Sequence, residues 1–262
     1  MNTILDFAAK KNSQQKITML ACYDYISACL LAKTEIDCLL VGDSLAMVVY
    51  GLPNTTGATV EMMVAHTRAV ARGAPNKFII TDLPFLSYRK SLSESVSVAQ
   101  KIMQAGAHAV KLEGAAGNLE LIAHLTQSGT PVMGHLGLTP QSFYALGGYA
   151  IQGKTKTAQK KLMAESQALA AAGVFAIVLE CVPSIVAKAI TKKLTIPTIG
   201  IGAGKYTDGQ VLVLQDLLGM NPDFKPKFVR TFLNSSKLIQ QSITKYITAV
   251  RTGEFPSHEH SY

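Results

Sequence analysis

The chain has 262 residues, 48% of them hydrophobic, which excludes a short peptide or a disordered tail and suffices to bury a sizeable core. Aromatic residues make up only 7%, with no Trp, and 20 Gly and 10 Pro are spread along the chain, a globular composition with many short turns. Lys plus Arg number 25 against 17 Asp plus Glu, a net +8 compatible with phosphates, nucleic acid or an anionic metabolite and selecting none of them.

From Met1 to Lys16, the residues Asp6, Lys10, Lys11 and Gln14 interrupt the apolar ones, unlike an export signal, and no apolar run reaches the ~18 residues of a membrane-spanning helix. Cys22, Cys29, Cys38 and Cys181 form no CxxC pair and lie in or beside apolar segments, as reduced thiols do. A cytoplasmic protein without a membrane partner is expected.

Short β-like runs follow at Ile17 to Cys22, Cys38 to Gly42, Phe78 to Thr81, Ala109 to Leu112, Pro131 to Gly134, Ala176 to Leu179, Thr198 to Ile201 and Gln210 to Leu214. None alternates polar with apolar residues, so each is expected to be buried on both faces, as in a parallel sheet. Helix signals lie between most of them. Ser91 with Glu94 three residues on is a capping box, and Gly106, Gly129 and Gly173 close helical segments at positions where a left-handed conformation is cheapest for Gly. Eight strands at roughly 33 residues per unit predict an α/β fold, a parallel eight-stranded (β/α)8 TIM barrel, rather than an open sheet. The link between the seventh and eighth runs is short for a parallel crossover, so that unit carries a minimal helix or none. After Leu214 come Pro222, Pro226 and a helical stretch from about Phe228 to Val250, read as closing helices. Residues 1–262 are thus expected to form a single barrel domain with a short exposed tail.

The runs end in a pattern: Asp24, then Asp43 and Ser44, Asp82, Glu113, His135 and Glu180. The C-terminal ends of parallel barrel strands converge on one face, so these residues would line one mouth. Clustered carboxylates repel unless a cation or proton sits among them, and oxygen ligands without grouped His or Cys favour a hard ion such as Mg²⁺. Asp24 stands before a helix that it can cap, and is left out of the metal site. Lys111 precedes Glu113 by two residues, so both point into the barrel; Lys111 either neutralises Glu113 or holds an anionic substrate or a developing oxyanion. His135 either hydrogen-bonds in the core or contacts substrate. Glu180 follows an apolar run whose burial would raise its pKa, making it a candidate base.

Three patterns carry less. Gly148 to Thr155, GYAIQGKT, matches a phosphate loop by letter, but no buried strand precedes it. Gly200, Gly202 and Gly204 suit a close-approach loop at the mouth better than a dinucleotide fingerprint, and His258, Glu259 and His260 read as a solvated tail.

The strings VGDSLAMVVYG (from Val41), HTRAVARGAP (from His66), TDLPF (from Thr81) and VKLEG (from Val110) resemble the ketopantoate hydroxymethyltransferase family. PVMGHLGLTPQS from Pro131, GGYAIQGKT from Gly147, LECVP from Leu179, IPTIGIGAGKYTDGQVLVLQDLLG from Ile196 and PKFVR from Pro226 continue the resemblance in order, over about residues 15 to 235. The resemblance implies a Mg²⁺-dependent barrel enzyme of pantothenate biosynthesis that moves a one-carbon unit from 5,10-methylenetetrahydrofolate to 3-methyl-2-oxobutanoate, giving 2-dehydropantoate. Carried over by motif, Asp43 and Asp82 are metal-binding aspartates, Glu113 a third metal-shell carboxylate, Ser44 and Lys111 substrate contacts and Glu180 the proton acceptor. Homo-oligomers, ring-like decamers in bacteria, are also implied. The chain departs from the family pattern at Ala46, where Gly is usual, and at Leu52 to Ala58, LPNTTGA, where a string like HDSTLPV is usual, in a loop over the mouth. Two other readings compete. A C–C lyase or mutase of the phosphoenolpyruvate mutase and isocitrate lyase kind shares barrel, Mg²⁺ and 2-oxo acid, but its KKCGH-like loop is not found. A basic nucleic-acid binder is suggested by Lys154, Lys156, Lys160 and Lys161, a charge run that is more simply a solvated helix face.

Overall fold

A computed structural model describes residues 3–223 and 226–262; Met1, Asn2, Phe224 and Lys225 lie outside the described residues. The chain divides into two compact units, Met1–Leu212 and Val213–Tyr262.

The first unit begins with α1 (Ile4–Asn12), β1 (Ile17–Ala21), α2 (Tyr25–Ala32), β2 (Cys38–Val41), α3 (Leu45–Val48), α4 (Val60–Gly73), β3 (Phe78–Asp82), α5 (Leu92–Gln104) and β4 (Ala109–Glu113). It continues through α6 (Leu119–Gln127), β5 (Val132–Gly137), α7 (Phe143–Leu146), α8 (Lys156–Ala171), β6 (Ala176–Glu180), α9 (Ser184–Lys193), β7 (Thr198–Ile201) and β8 (Gly209–Val213), whose last residue opens the second unit. The strands pair in chain order and close into a parallel barrel, as the unbroken apolar runs predict. The capping box of α5 forms, and Gly106, Gly129 and Gly173 follow their helices with φ of +108°, +84° and +101°. Residues 202–208 join β7 to β8 without a helix. Asp24 caps α2 by accepting from Ser27 N–H at 2.8 Å.

Several boundaries differ from the sequence reading. β3, β4 and β6 each run one residue further, so Asp82, Glu113 and Glu180 are the last residues of their strands and their directions are set by the barrel ladder. β5 passes Gly134 and continues to Gly137, which brings His135 inside the strand. No strand precedes Gly148 to Thr155; Thr155 instead caps α8, accepting from Ala158 N–H.

The N-terminal helix α1 has no counterpart in the sequence reading. Its Phe7, fully buried, packs edge-on against Phe78 at the start of β3 and Phe175 just before β6, with ring centres 5.4 and 5.0 Å apart. Aromatic edges offset in this way add to the burial of three large side chains at the N-terminal end of the barrel. Lys10 Nζ lies 2.5 Å from Asp37 Oδ1, ahead of β2, and Lys11 Nζ 2.7 Å from Asp208 Oδ2, ahead of β8. Asp37 also accepts from Thr18 N–H; burial alone would raise its pKa, but Lys10 and Thr18 outweigh it and hold the carboxyl below the ordinary value.

The second unit holds α10 (Leu214–Leu217) and α11 (Ser235–Thr252). The helix expected from Phe228 starts instead at Ser235. Phe232 N–H donates to Leu217 O and Ser235 N–H to Leu218 O, which folds the preceding segment back on α10 rather than into a helical turn. Residues 258–260 form one exposed 3-10 turn, where His260 Nδ1 meets Ser257 Oγ at 2.7 Å. No helix among the described residues is long and apolar enough to cross a membrane.

Candidate active site

Barrel register decides which polar side chains meet. Asp82 lies opposite Lys111 on the β3–β4 ladder, and Glu113 lies opposite His135 on β4–β5. Residues opposed on neighbouring parallel strands share a face, here the barrel interior at the C-terminal ends of the strands. Lys111 Nζ is accordingly 2.7 Å from Asp82 Oδ1, so the carboxylate that it neutralises is Asp82 and not Glu113. Glu113 Oε1 is 3.3 Å from His135 Nδ1, and Glu180 Oε2 is 3.1 Å from His135 Nε2. His135 therefore bridges two acids. Asp43, on the turn after β2, donates its backbone N–H to Asp82 Oδ2 at 3.0 Å. Next to it Ser44 Oγ is 2.7 Å from Tyr23 Oη.

The structure thus brings Asp43, Ser44, Asp82, Lys111, Glu113, His135 and Glu180 to one mouth. Asp43, Asp82, Lys111, Glu113 and His135 are buried, whereas Ser44 and Glu180 are partly open to solvent. Glu180 does not sit in the apolar surroundings that its run suggested; its carboxylate faces the imidazole of His135.

The electrostatics follow from this crowding. Burial, and then the neighbouring Asp82 and Glu113, push Asp43 well above the ordinary carboxylate value, against Lys111 and the Gln141 hydrogen bond. Burial works against charge on Lys111, but Asp82, Glu113 and Asp43 outweigh it and keep the ammonium protonated. Burial and Lys111 both oppose a proton on His135; Glu113 and Glu180 prevail and lift it from 6.5 to about 9. With all four acids ionised, Asp43, Asp82, Glu113 and Glu180 exceed Lys111 and the imidazolium by two negative charges.

That excess suits a divalent cation. Among the described residues no three His, Cys, Asp or Glu side chains converge as a ready cage. Glu113 is engaged by Gln141 N–H at Oε2 and by His135 at Oε1. Asp43 and Asp82 could hold the ion as hard oxygen donors, with water and substrate oxygens completing the set, the arrangement Mg²⁺ prefers over an all-protein cage.

A family model described as ketopantoate hydroxymethyltransferase matches residues 1–258. The chain belongs to this family. A 3-methyl-2-oxobutanoate hydroxymethyltransferase of Bdellovibrio bacteriovorus is 57% identical over 262 residues, covering 100% of both chains. One from Coxiella burnetii is 57% identical over 264 residues, covering 100% of this chain and 99% of the other. Among solved structures, phosphonopyruvate hydrolase in complex with oxalate and Mg²⁺ superposes with a TM-score of 0.63 at 14% identity, over 99% of this chain and 93% of the other, a likeness of fold.

Three further residues shape this ketopantoate hydroxymethyltransferase site, and the residue-by-residue reading missed them. Gln141 donates to Asp43 Oδ2 at 2.8 Å and to Leu83 O at 2.9 Å, and accepts from Tyr88 Oη at 2.7 Å, so it ties the β5–α8 segment across the mouth. An amide in the string TPQS has no feature that separates it from any surface Gln; only its place in the family string marked it. Gly137, opposite Glu180, has φ of +96°, and a Cβ there would lie 2.2 Å from Glu180 O. The atypical LPNTTGA loop is well packed: Asn54, buried, caps a 3-10 turn through Thr56 N–H and donates to Tyr144 Oη at 3.0 Å.

Proposed function

We propose that this chain is a 3-methyl-2-oxobutanoate hydroxymethyltransferase, using 5,10-methylenetetrahydrofolate and Mg²⁺ to make 2-dehydropantoate in the cytoplasm, as a step of pantothenate biosynthesis. The observation that carries this is the buried Asp43–Asp82–Lys111 group facing Glu180 across the mouth, in a member of this family. Asp43 and Asp82 would hold the metal, with Glu113, which accepts from Gln141 N–H and lies against His135, as a third carboxylate near it. The cation, when bound, supplies Lewis acidity toward the carboxylate and keto oxygens of a 2-oxo acid, which acidifies the hydrogen on C3.

Each side chain then has a defined task. Ser44, oriented by Tyr23, hydrogen-bonds the substrate carboxylate, and Lys111 places a fixed positive charge beside the oxygen on which negative charge develops. Glu180 takes the C3 proton. His135, set between Glu113 and Glu180, steadies the Glu180 carboxylate from inside the barrel. Water releases the methylene carbon from the donor at the aldehyde level, its two protons going to the two folate nitrogens as both C–N bonds break and tetrahydrofolate leaves. C3 then bonds to that carbon, and the aldehyde oxygen takes the proton held by Glu180 to become the new hydroxyl. A homo-oligomer, a decamer as in bacterial family members, is the working form; neither nucleic acid nor a membrane takes part.

The test is direct. The protein incubated with Mg²⁺, 3-methyl-2-oxobutanoate and methylenetetrahydrofolate should form 2-dehydropantoate, seen by mass spectrometry. No product with any divalent ion would overturn the assignment.

A further inference from the structure

We infer that Phe143, Tyr144 and Tyr149, on the segment between β5 and α8, form an aromatic wall at the mouth that receives the flat pterin of the one-carbon donor. This rests on the reaction proposed above and assigns a place to its second substrate. The segment is fastened at both ends to the reacting groups. At its start, Gln141 N–H donates to Glu113 Oε2 at 3.0 Å and its amide to Asp43 Oδ2 at 2.8 Å. At its end, Gln152 N–H donates at 2.9 Å to the carbonyl of Cys181, the residue after Glu180.

Three rings stand between these ties. Phe143 lies 4.8 Å from Tyr149 and 5.3 Å from Tyr144, centre to centre. Tyr144 is 73% exposed and Tyr149 50%, so both rings present open surface to solvent. The rings are nonetheless held in place. Tyr144 Oη accepts from Asn54, and Tyr149 Oη lies 3.4 Å from Met47 Sδ, on the helix that follows Asp43 and Ser44. Gly147 and Gly148, with φ of +71° and +112°, reverse the chain between the two tyrosines, a turn that side chains would resist.

Position selects the ligand. The floor of the mouth holds Lys111 and the carboxylates that would hold the cation, and Lys111 with that cation suits a small anionic keto acid, so the second reactant comes over the rim. Burial, together with the charges of Glu180 and Asp43, raises the Tyr149 phenol above its usual value, consistent with a ring within reach of both carboxylates. A flat heterocycle laid on Tyr149 would bring a carbon attached to it over the floor. Stacking of this kind is worth about 5- to 150-fold in affinity per ring, taking ~1–3 kcal/mol for base–aromatic stacking.

The experiment compares wild type with Tyr149→Ala, Tyr144→Ala and Tyr149→Phe in three measurements. These are the KM for methylenetetrahydrofolate, equilibrium dialysis of tetrahydrofolate, and exchange of the C3 hydrogen of 3-methyl-2-oxobutanoate with deuterated solvent in the absence of folate. Both alanine variants should raise the folate KM and the tetrahydrofolate Kd about tenfold, while Tyr149→Phe, which keeps the ring, stays within about twofold of wild type. Exchange, which needs no folate, should hold its wild-type rate. Unchanged tetrahydrofolate binding in both alanine variants overturns the wall, as does an exchange rate that falls in step with folate affinity. If the wild type itself neither exchanges nor turns over, the reaction is at fault, and dialysis still decides the wall: lost binding supports it and equal binding overturns it.

Discussion

Held between Glu113 and Glu180, His135 keeps its proton through neutral pH, and this has a measurable consequence for stability. Its folded pKa of about 9 lies above the ordinary 6.5, so its contribution is fully present below 6.5 and is lost as pH rises through about 9. The shift corresponds to about 3 kcal/mol, an order of magnitude for a buried group. Urea denaturation of the metal-free protein should show that loss across this window, and His135→Gln should flatten it; equal slopes in both proteins would refute the assignment. Glu180 is tested separately. Glu180→Gln should bind keto acid and metal normally yet slow C3 exchange in deuterated water by ~10²–10⁴-fold, followed by NMR without folate. An unchanged rate would remove Glu180 from the proton transfer. The residues of this site were legible in the sequence as chemistry but not as pairs. Asp43, Asp82, Glu113 and Glu180 could be picked out because each ends an apolar run. That Lys111 meets Asp82 depends on the stagger of one strand against the next, and no pattern along a single strand encodes it.

Strands were legible at their centres, where four or five apolar residues in a row leave little choice, and misread at their ends. β5 is the instructive case: MGHLG mixes two glycines with a histidine, and reads as the start of a loop when it is the part of the ladder that carries His135. Helix α1 was missed because nine residues with two lysines on one side give a weak period, although those lysines are the ones that fasten it. Gly137 links strand geometry to chemistry. Since an added Cβ would sit 2.2 Å from the Glu180 carbonyl and φ is +96°, Gly137→Ala must either push β6 away or break the register at its last pair. It should cost at least ~2 kcal/mol in stability and lower kcat by displacing Glu180, while keto acid affinity is largely kept. A variant with wild-type kcat would show that the ladder end is slack.

The two ends of the barrel carry opposite electrostatic designs. At the mouth, like charges crowd together; at the N-terminal end, Asp37 and Asp208 are each matched by a lysine of α1. Two substitutions of the same kind should therefore have opposite effects. In metal-free protein Asp43→Asn should raise Tm, because it removes a carboxyl that burial and its neighbours destabilise, while turnover is lost. Asp37→Asn should lower stability by ~1–3 kcal/mol with kcat kept, since it strips charge from the bonds to Lys10 and Thr18. Asp37 is held below its ordinary value, so its contribution is present above that value and fades as pH falls through the lowered one; wild type should lose this acid-side increment and the variant should not. Calorimetry of both variants with parallel activity assays checks the pair, and effects of the same sign would contradict it. The clamp at Asp208 also orders events during synthesis. Lys11 and Asp208 are 197 residues apart, and Ile17 N–H donates to Asp208 O at the seam where β8 meets β1. At ~5–20 residues per second, the ribosome adds Asp208 some ~10–40 s after Lys11. Once Asp37 and β2 have been added, and until Asp208 and β8 follow, the first strand of the nascent chain has one partner and one bare edge and the first helix has half of its anchorage, so the barrel is an open and associable sheet until its last strand arrives.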